Sequence, residues 1–376
     1  MAKRAAAVYF PGLNALRFFA AMAVAASHVE LLKQYNGLPN AYDEPAVYEL
    51  GRLAVTLFFV LSGYLITYLL LTEKKAAGAI SVRDFYVRRI LRIWPLYYLL
   101  VLLAFFVFPR IGPLTIPKLA VTQHTLPLFL LLLPQLALSV ADPVPFAEPA
   151  WSIGVEEQFY LIWPLLIRRT RRFVPMALAV IAISFALRYG AFGMALASRA
   201  NPQRLAFWNQ AISYFYFTRI ECMAIGGLAA WLVFEQRRKM LHFLYRRDVQ
   251  LAVYVATAWL VVTPRFKPIF NYAGYSILFA VLILNVSTNP RSLLKLNSRP
   301  FTFLGNISFS IYMFHEVAIQ LVLQTPLRAS NGALYAASLS LTLVIAAASY
   351  LLFERAFLRW KSRFAIVPST PAPLSV

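Results

Sequence analysis

Long apolar segments alternate with short basic loops along almost the whole chain. Each segment holds about 20 mostly apolar residues, the length that an α-helix needs to cross the hydrocarbon core of a bilayer. There are eleven candidates: 12–34, 51–72, 93–109, 119–140, 151–167, 174–198, 206–234, 249–263, 268–288, 301–324 and 332–354. The pattern therefore predicts an all-α integral membrane protein.

One of these segments, 119–140, is predicted not to cross. Pro127 and Pro134 interrupt its hydrogen-bond ladder. If it returns to the outer side, the basic loops 168–172 and 235–248 lie in the cytoplasm, as the positive-inside rule requires. We therefore expect about ten crossings, both termini in the cytoplasm, and a re-entrant segment that is surrounded by protein or lines a cavity.

The remaining organisation is simple. Residues 1–363 are expected to form one membrane domain, and residues 364–376 a short, Pro-rich, disordered tail. The basic stretch 81–95 predicts an amphipathic interfacial helix before the third crossing. The first apolar segment carries Arg17 and His28, so no cleaved signal peptide is expected.

Composition narrows the class further. The chain is 60% hydrophobic and 14% charged, and its mean hydropathy of +0.65 excludes an ordinary soluble domain. A net charge of +21 would suggest nucleic acid in a soluble protein. Here the basic residues lie between apolar segments, so membrane topology and membrane lipids explain them and no nucleic-acid partner is expected. The single Cys222 excludes an internal disulfide.

Arg17 and His28 share one face of the first predicted helix. Eleven residues make about three turns, so the two side chains lie about 16 Å apart along the axis. Ala21, Val24 and Ala25 lie between them on that face. Small residues there permit close helix packing, and Arg17 can reach the headgroups. Ionisable side chains within a membrane more often mark function.

Two further apolar segments carry ionisable side chains. Glu156 and Glu157 point about 100° apart on one helix, so their spacing does not decide which faces a shared site with His28. The alternative is that they pair with an arginine such as Arg219. Later, Ser308, Tyr312 and His315 recur at i, i+4 and i+7 and form one polar face, although His315 could instead bond a neighbouring carbonyl.

Arg89 and Arg92 lie on one side of a helix, with Arg88 adjacent. Guanidinium groups bind phosphate bidentately, although attraction to anionic lipids explains such a cluster as well. His124 and His242 complete no metal-ligand pattern, so no metal is expected. The arrangement suits a long donor with phosphate at its cytoplasmic end, such as acyl-CoA, and a histidine that acts as general base or carries the acyl group.

These motifs together resemble the bacterial membrane acyltransferase-3 family, which O-acylates sugars and related acceptors. The matching stretches run in order from residue 12 to about 363: GLNALRFFAAMAVAASH, LFFVLSGYLIT, RRILRIWPLYY, WSIGVEEQFYLIWPLL, SFSIYMFH and FERAFLRWKSR. The resemblance implies ten core helices. It also implies His28 as the catalytic histidine, Arg17, Arg89 and Arg92 as donor-site residues, and Trp151, Glu157 and His315 as further site residues. Ala356 departs from the family pattern, where proline is frequent.

The sequence therefore predicts a multi-pass O-acyltransferase of the bacterial inner membrane. It would move an acyl group, most simply acetyl from acetyl-CoA, to a hydroxyl of a carbohydrate or lipid-linked glycan. His28 and Glu157 are the expected catalytic residues, and Trp151, Tyr312 and His315 the expected substrate contacts. The alternative is a transporter that uses buried His, Arg and Glu as a pathway. The sequence leaves the acceptor, the acyl length and the oligomeric state open.

Overall fold

The computed structural model describes residues 8–10, 12–116, 118–263 and 268–364, and these are helical throughout, without a β-strand. The α-helices, in chain order, are α1 (Gly12–Tyr35), α2 (Pro45–Ala77), α3 (Val82–Leu102), α4 (Leu126–Leu130), α5 (Pro134–Val140), α6 (Ala150–Arg169), α7 (Phe173–Ala197), α8 (Pro202–Phe217), α9 (Ile220–Phe234), α10 (Arg238–Leu244), α11 (Arg247–Val262), α12 (Pro268–Thr288), α13 (Arg299–Asn306), α14 (Ser308–Leu323), α15 (Asn331–Ser349) and α16 (Arg355–Lys361). The predicted tail lies outside the described residues, except for its first residue.

Six helical stretches within the described residues are long and apolar enough to cross a membrane: Gly12–Tyr35, Pro45–Ala77, Val82–Arg110, Phe173–Ala197, Pro202–Phe234 and Asn331–Lys361. A seventh forms if α13 and α14 cross together as one span, bent by 62°. The apolar stretch Tyr272–Thr288 in α12 is shorter. The chain is thus a multi-pass, all-α membrane protein, as its hydropathy pattern predicts.

The segment 119–140 is not one continuous helix. Pro127 and Pro134 occupy the first turns of α4 and α5, where a missing backbone N–H costs least. Leu132, between the two helices, adopts a left-handed backbone conformation with φ of 60°. α5 packs against α6, where Gly154 faces Pro134. The interruption by proline is therefore confirmed, and the segment is partly enclosed by protein.

The prediction of a separate interfacial helix over residues 81–95 is wrong. α3 starts at Val82 and continues through Pro95 to Leu102. Pro95 gives up only the hydrogen bond to the Leu91 carbonyl, a loss that buried helices of membrane proteins tolerate. The arginine-bearing half of α3 is turned toward the protein, because Arg88 and Arg89 are both buried.

The closest helix packing in the described part of the chain is between α2 and α9, which lie at the centre of the helix bundle. A side chain at Gly63 of α2 would overlap the backbone of Met223, and one at Gly226 of α9 would overlap the backbone of Val60. These two glycines let the α2 and α9 backbones approach closely, as small residues do between membrane helices. α1 packs on the other flank of this pair and also against α14.

Candidate active site

A cavity lies where α1, α2, α3, α6 and α14 meet, and it encloses about 770 Å³ of space between atoms, part of it open. Its wall combines apolar side chains with arginines, hydroxyl groups and a carboxylate. The lining residues are Arg17, Phe58, Leu61, Ser62, Leu65, Ile66, Arg89, Arg92, Ile93, Ser152, Ile153, Glu156, Tyr160, Ser308, Phe309 and Tyr312. Three of the predicted site residues, the donor-site arginines, thus line one cavity together with Tyr312.

The arginines at one end of the cavity, Arg17, Arg89 and Arg92, form no direct ion pair with a carboxylate in the part of the chain that the structure describes. Arg89 is only 8% exposed, and its Nε has no hydrogen-bond partner. Its guanidinium group lies 5.7 Å from the ring centre of Phe85 and 5.8 Å from that of Tyr160. Buried cations without carboxylate partners are costly, so this end of the cavity is suited to an anionic ligand.

Arg88, in contrast, is fully engaged by the protein. Its Nη2 lies 3.0 Å from Oε2 of Glu73, and its Nη1 donates to the Phe364 carbonyl at 2.7 Å. Glu73 is 2% exposed. Arg88 therefore differs in role from Arg89 and Arg92, because Arg88 balances a buried carboxylate while the other two arginines face the cavity.

The opposite end of the cavity is closed by two hydroxyl groups. Ser152 Oγ and Tyr312 Oη lie 2.7 Å apart, and Tyr312 Oη donates to the Pro149 carbonyl at 3.0 Å. Ser308, one turn below Tyr312, also lines the wall. The polar face predicted on this helix is confirmed for both residues. His315 continues the face beyond the cavity, toward α1.

His315 and His28 form a directly bonded pair. His315 Nε2 lies 2.9 Å from His28 Nδ1, and His315 Nδ1 lies 2.8 Å from the Tyr312 carbonyl oxygen. Because a carbonyl oxygen only accepts, Nδ1 of His315 carries the hydrogen, and in a neutral ring its Nε2 then carries none. His28 Nδ1 must therefore donate, and its single hydrogen is shared between His315 Nε2 and Glu316 Oε1, which lies at 3.1 Å. The lone pair of His28 Nε2 is left available as a base.

Glu157 is not brought to His28. Its Oε2 accepts a hydrogen bond from Trp94 Nε1 at 3.0 Å. The neighbouring Glu156 lines the cavity instead and accepts from Tyr160 Oη at 2.6 Å. Since adjacent residues of a helix point about 100° apart, only one of the two carboxylates faces the cavity. The expected contact with His28 is made by Glu316.

Trp151 and Arg219 belong to an aromatic cluster outside the cavity lining. The Arg219 guanidinium lies 3.5 Å from the ring centre of Tyr272 and 5.6 Å from that of Trp151, and its Nη1 donates to Thr56 Oγ1 at 3.1 Å. The alternative pairing of Arg219 with Glu156 or Glu157 is thus not formed. Trp151 lies one residue before Ser152, at the start of α6.

The face of α1 between Arg17 and His28 is not an open path. Ala21, Val24 and Ala25 are all buried, and Ala21 packs against residues of α13–α14 and α15. The cavity runs instead along α2 and α6. The small side chains on this face serve close helix packing, because a neighbouring helix occupies that face.

Two carboxylates, Glu316 and Glu148, lie beside the histidines, and the sequence pattern does not identify them as site residues. Glu316 directly follows His315 in sequence, which was the only local signal for it. Glu148 accepts a hydrogen bond from Tyr35 Oη at 3.0 Å. Burial, together with the nearby Glu316 carboxylate, raises the pKa of Glu148 to about 7.

Side-chain atoms of His28, His315 and Glu316 lie within 4.8 Å of one another, so they could also hold a divalent cation.

Comparison with known proteins adds independent findings. The family model described as an acyltransferase domain, acyltransferase-3, matches residues 10–352. The chain is 28% identical over 388 residues to the "Putative peptidoglycan O-acetyltransferase YrhL" of Bacillus subtilis, covering 92% of this chain and 54% of that protein. It is 27% identical over 337 residues to the O-acetyltransferase OatA of Staphylococcus aureus, covering 84% of this chain and 51% of that one.

The chain therefore spans about half the length of these relatives. No solved structure matches it. The family model covers nearly all of the helices described above, including those that form the cavity and the histidine pair. The chain belongs to the acyltransferase-3 family.

Proposed function

We propose that this chain is a membrane O-acyltransferase that moves an acyl group, most simply acetyl, from cytoplasmic acyl-CoA to a hydroxyl of a glycan. The observation that carries the proposal is the cavity that joins unpaired arginines to Tyr312, which is linked in turn to His315 and His28. Relatives named as O-acetyltransferases, one of them a peptidoglycan O-acetyltransferase, support both the reaction and a carbohydrate acceptor.

The donor would bind with its phosphates at the arginine end. Arg17, Arg89 and Arg92 offer guanidinium groups that bond phosphate oxygens in pairs. The apolar residues of α2 that line the cavity, such as Leu61 and Leu65, would contact the pantetheine arm. The thioester would then reach the end formed by Ser152 and Tyr312.

His28 would act as the general base. Its Nε2 takes the proton from the acceptor hydroxyl, the hydroxyl oxygen attacks the thioester carbonyl carbon, and the C–S bond breaks to release the CoA thiolate. Glu316 stabilises the imidazolium ion that forms, and His315 fixes the ring and its tautomer. The His28 side chain is 15% exposed, so the ring is not fully enclosed and an acceptor could reach it.

The activity is tested with the full chain in native-like vesicles, labelled acetyl-CoA and a purified glycan. We expect label on the glycan with the wild-type chain and a loss of about 10²–10⁴-fold with His28→Ala, the range that general base catalysis contributes. The control is His124→Ala, which removes an exposed histidine outside the site. Glycan movement across the vesicle without label transfer would contradict the proposal and favour the transporter.

We also propose ten crossings, with both termini in the cytoplasm of a bacterial inner membrane. α6, α11 and α12 would add three to the seven counted above. α6 has 20 residues, or about 30 Å. A cysteine placed at the exposed Asp142 should be labelled only from the outer side, because Cys222 is buried and gives no background. Labelling from the cytoplasm alone would overturn this orientation.

A further inference from the structure

A single hydrogen is shared by two acceptors at the centre of the histidine pair. His315 Nδ1 donates to the Tyr312 carbonyl, so in a neutral ring the lone pair of His315 Nε2 is aimed at His28. Oε1 of Glu316 is aimed at the same atom, His28 Nδ1. This nitrogen lies 2.9 Å from His315 Nε2 and 3.1 Å from Glu316 Oε1. One hydrogen cannot make a full hydrogen bond to both acceptors.

A divalent cation, in contrast, would bond all three atoms at once. Ligand atoms of His28, His315 and Glu316 lie within 4.8 Å of one another. Zinc binds imidazole nitrogen and carboxylate oxygen at about 2.0–2.2 Å, so ligand atoms of a tetrahedral site lie about 3.3–3.5 Å apart. The observed distances require only a small outward rotation of the side chains. Two imidazoles and one carboxylate are also a ligand set that zinc uses when its fourth position stays open.

The surroundings of these three side chains are those of metal ligands. The hydrogen bond from His315 to the Tyr312 carbonyl fixes the orientation of the imidazole, as hydrogen bonds to the second nitrogen do for metal-bound histidines. His315 and Glu316 are buried, so little water competes for their lone pairs. The His28 side chain is partly exposed, which gives a cation a route to the site.

The charge of Glu316 also favours a cation. In the part of the chain that the structure describes, its carboxylate lies within ion-pair distance of His28 and of no arginine or lysine. When both imidazoles are neutral, this buried carboxylate has no directly bonded cation, and burying such a charge is costly. A dication bound to the three ligand atoms would lower that cost.

We propose that His28 Nδ1, His315 Nε2 and Glu316 Oε1 form a zinc-binding site, and that zinc bound there inhibits acyl transfer. Zinc needs the lone pair of His28 Nδ1, so a neutral ring then carries its hydrogen on Nε2. That nitrogen has no lone pair left to accept the proton of an acceptor hydroxyl. The inhibition rests on the proposed function, because it assumes that His28 Nε2 is the base, whereas the binding of zinc does not.

The site is tested first by binding, with the full chain in nanodiscs dialysed against buffered free Zn²⁺. We expect one zinc per wild-type chain, with two imidazole ligands in its X-ray absorption spectrum. His315→Gln and Glu316→Gln each remove a ligand and should weaken binding at least about 100-fold, because changes outside the ligand set already cost about 10–100-fold. The matched control is the double variant His124→Ala/His242→Ala, which removes two exposed histidines and should bind zinc as the wild type does.

The inhibition is tested by transfer of label from acetyl-CoA to the glycan at the same free Zn²⁺ concentrations. The wild-type chain and the double variant should lose half of their activity where half of the sites are filled, and a chelator should restore it. The residual activity of His315→Gln should not respond to zinc at that concentration. Mg²⁺ should not inhibit, because it prefers oxygen ligands.

The outcomes separate the two proposals. If the wild-type chain acylates the glycan but binds no zinc, or if His315→Gln and Glu316→Gln bind it equally well, the zinc site is refuted and the proposed function stands. Loss of zinc from the double variant would also refute the site. If zinc binds through these residues and activity is unchanged or higher, the inhibition is refuted. If zinc binds as expected but no label is transferred even with a chelator, the proposed function fails and the zinc site stands.

Discussion

The two ends of the site differ in whether their ionisable side chains have bonding partners within the protein. At the arginine end, Arg17 and Arg92 have no ion-pair partner in the part of the chain that the structure describes. At the histidine end, His28 Nδ1 and both ring nitrogens of His315 are hydrogen-bonded, which leaves His28 Nε2 available. An end that lacks partners is suited to binding a charged ligand. An end whose partners fix a single lone pair is suited to moving a proton.

Among the substitutions that test this comparison, Glu316→Gln should have the largest effect on activity. Glu316→Gln keeps the shape but removes the charge that stabilises the His28 imidazolium, so we expect kcat to fall roughly 100-fold or more.

The matched control for Glu316 is Glu157→Gln. Glu157 bonds Trp94 rather than His28, so we expect kcat within about threefold of the wild-type value, since one ordinary hydrogen bond is altered rather than lost. A larger loss of kcat in Glu157→Gln than in Glu316→Gln would restore the role that family resemblance implies for Glu157.

Effects of intermediate size are expected for Arg92 and Arg88 of α3, and they should differ between the two arginines. Arg92→Met removes a cation that lines the cavity, so the KM for acyl-CoA should rise about tenfold while kcat and thermal stability stay nearly constant. Steady-state kinetics with varied donor and fixed acceptor measure this. An unchanged KM would mean that the cluster serves membrane topology rather than donor binding.

Arg88→Met should act on stability instead. It leaves the buried Glu73 without its partner, and breaking a buried pair costs about 3–5 kcal/mol. We expect a lower thermal unfolding temperature and lower yield, with little change in the KM of the protein that remains folded. A rise in donor KM without loss of stability would place Arg88 with Arg89 and Arg92.

The smallest effect is expected from Glu148, beside the histidine pair. Its pKa is raised to about 7 by burial and by the Glu316 carboxylate, above the unfolded value of about 4.3. The folded chain therefore holds this proton more tightly, and the stability that results is present at low pH and lost as the pH rises from about 4 to 7. Glu148→Gln has no carboxyl proton to lose. The melting temperature of this variant minus that of the wild type should therefore increase as the pH rises from about 4 to 7.

Much of the fold could be predicted from local sequence. Hydropathy over about 20 residues identifies membrane helices because every backbone polar group in a bilayer must be bonded within its own helix. The prolines at 127 and 134 correctly indicated a broken segment, since their effect on the backbone is local. The separate helix over 81–95 was predicted incorrectly because the cost of Pro95 depends on its surroundings, and burial of Arg88 and Arg89 was not visible from their charge.

The site was only partly predictable, for a related reason. Sequence spacing gives the angle between two side chains on one helix, so it placed Ser308 and Tyr312 on one face and separated Glu156 from Glu157. It does not give the rotation of that helix relative to its neighbours. That rotation decides that Glu156 faces the cavity, that Glu316 bonds His28, and that Ala21 and Ala25 are covered.

By itself, the sequence determined that this protein is a helical membrane protein, where most of its long apolar helices lie, and which family its ordered motifs resemble. Only the tertiary structure decided how Arg88 differs from Arg89 and Arg92, and which carboxylate bonds His28. The physical reason is that helix formation depends on local hydrogen bonds and hydropathy, whereas partners across helices depend on close packing such as that of Gly63 against Met223.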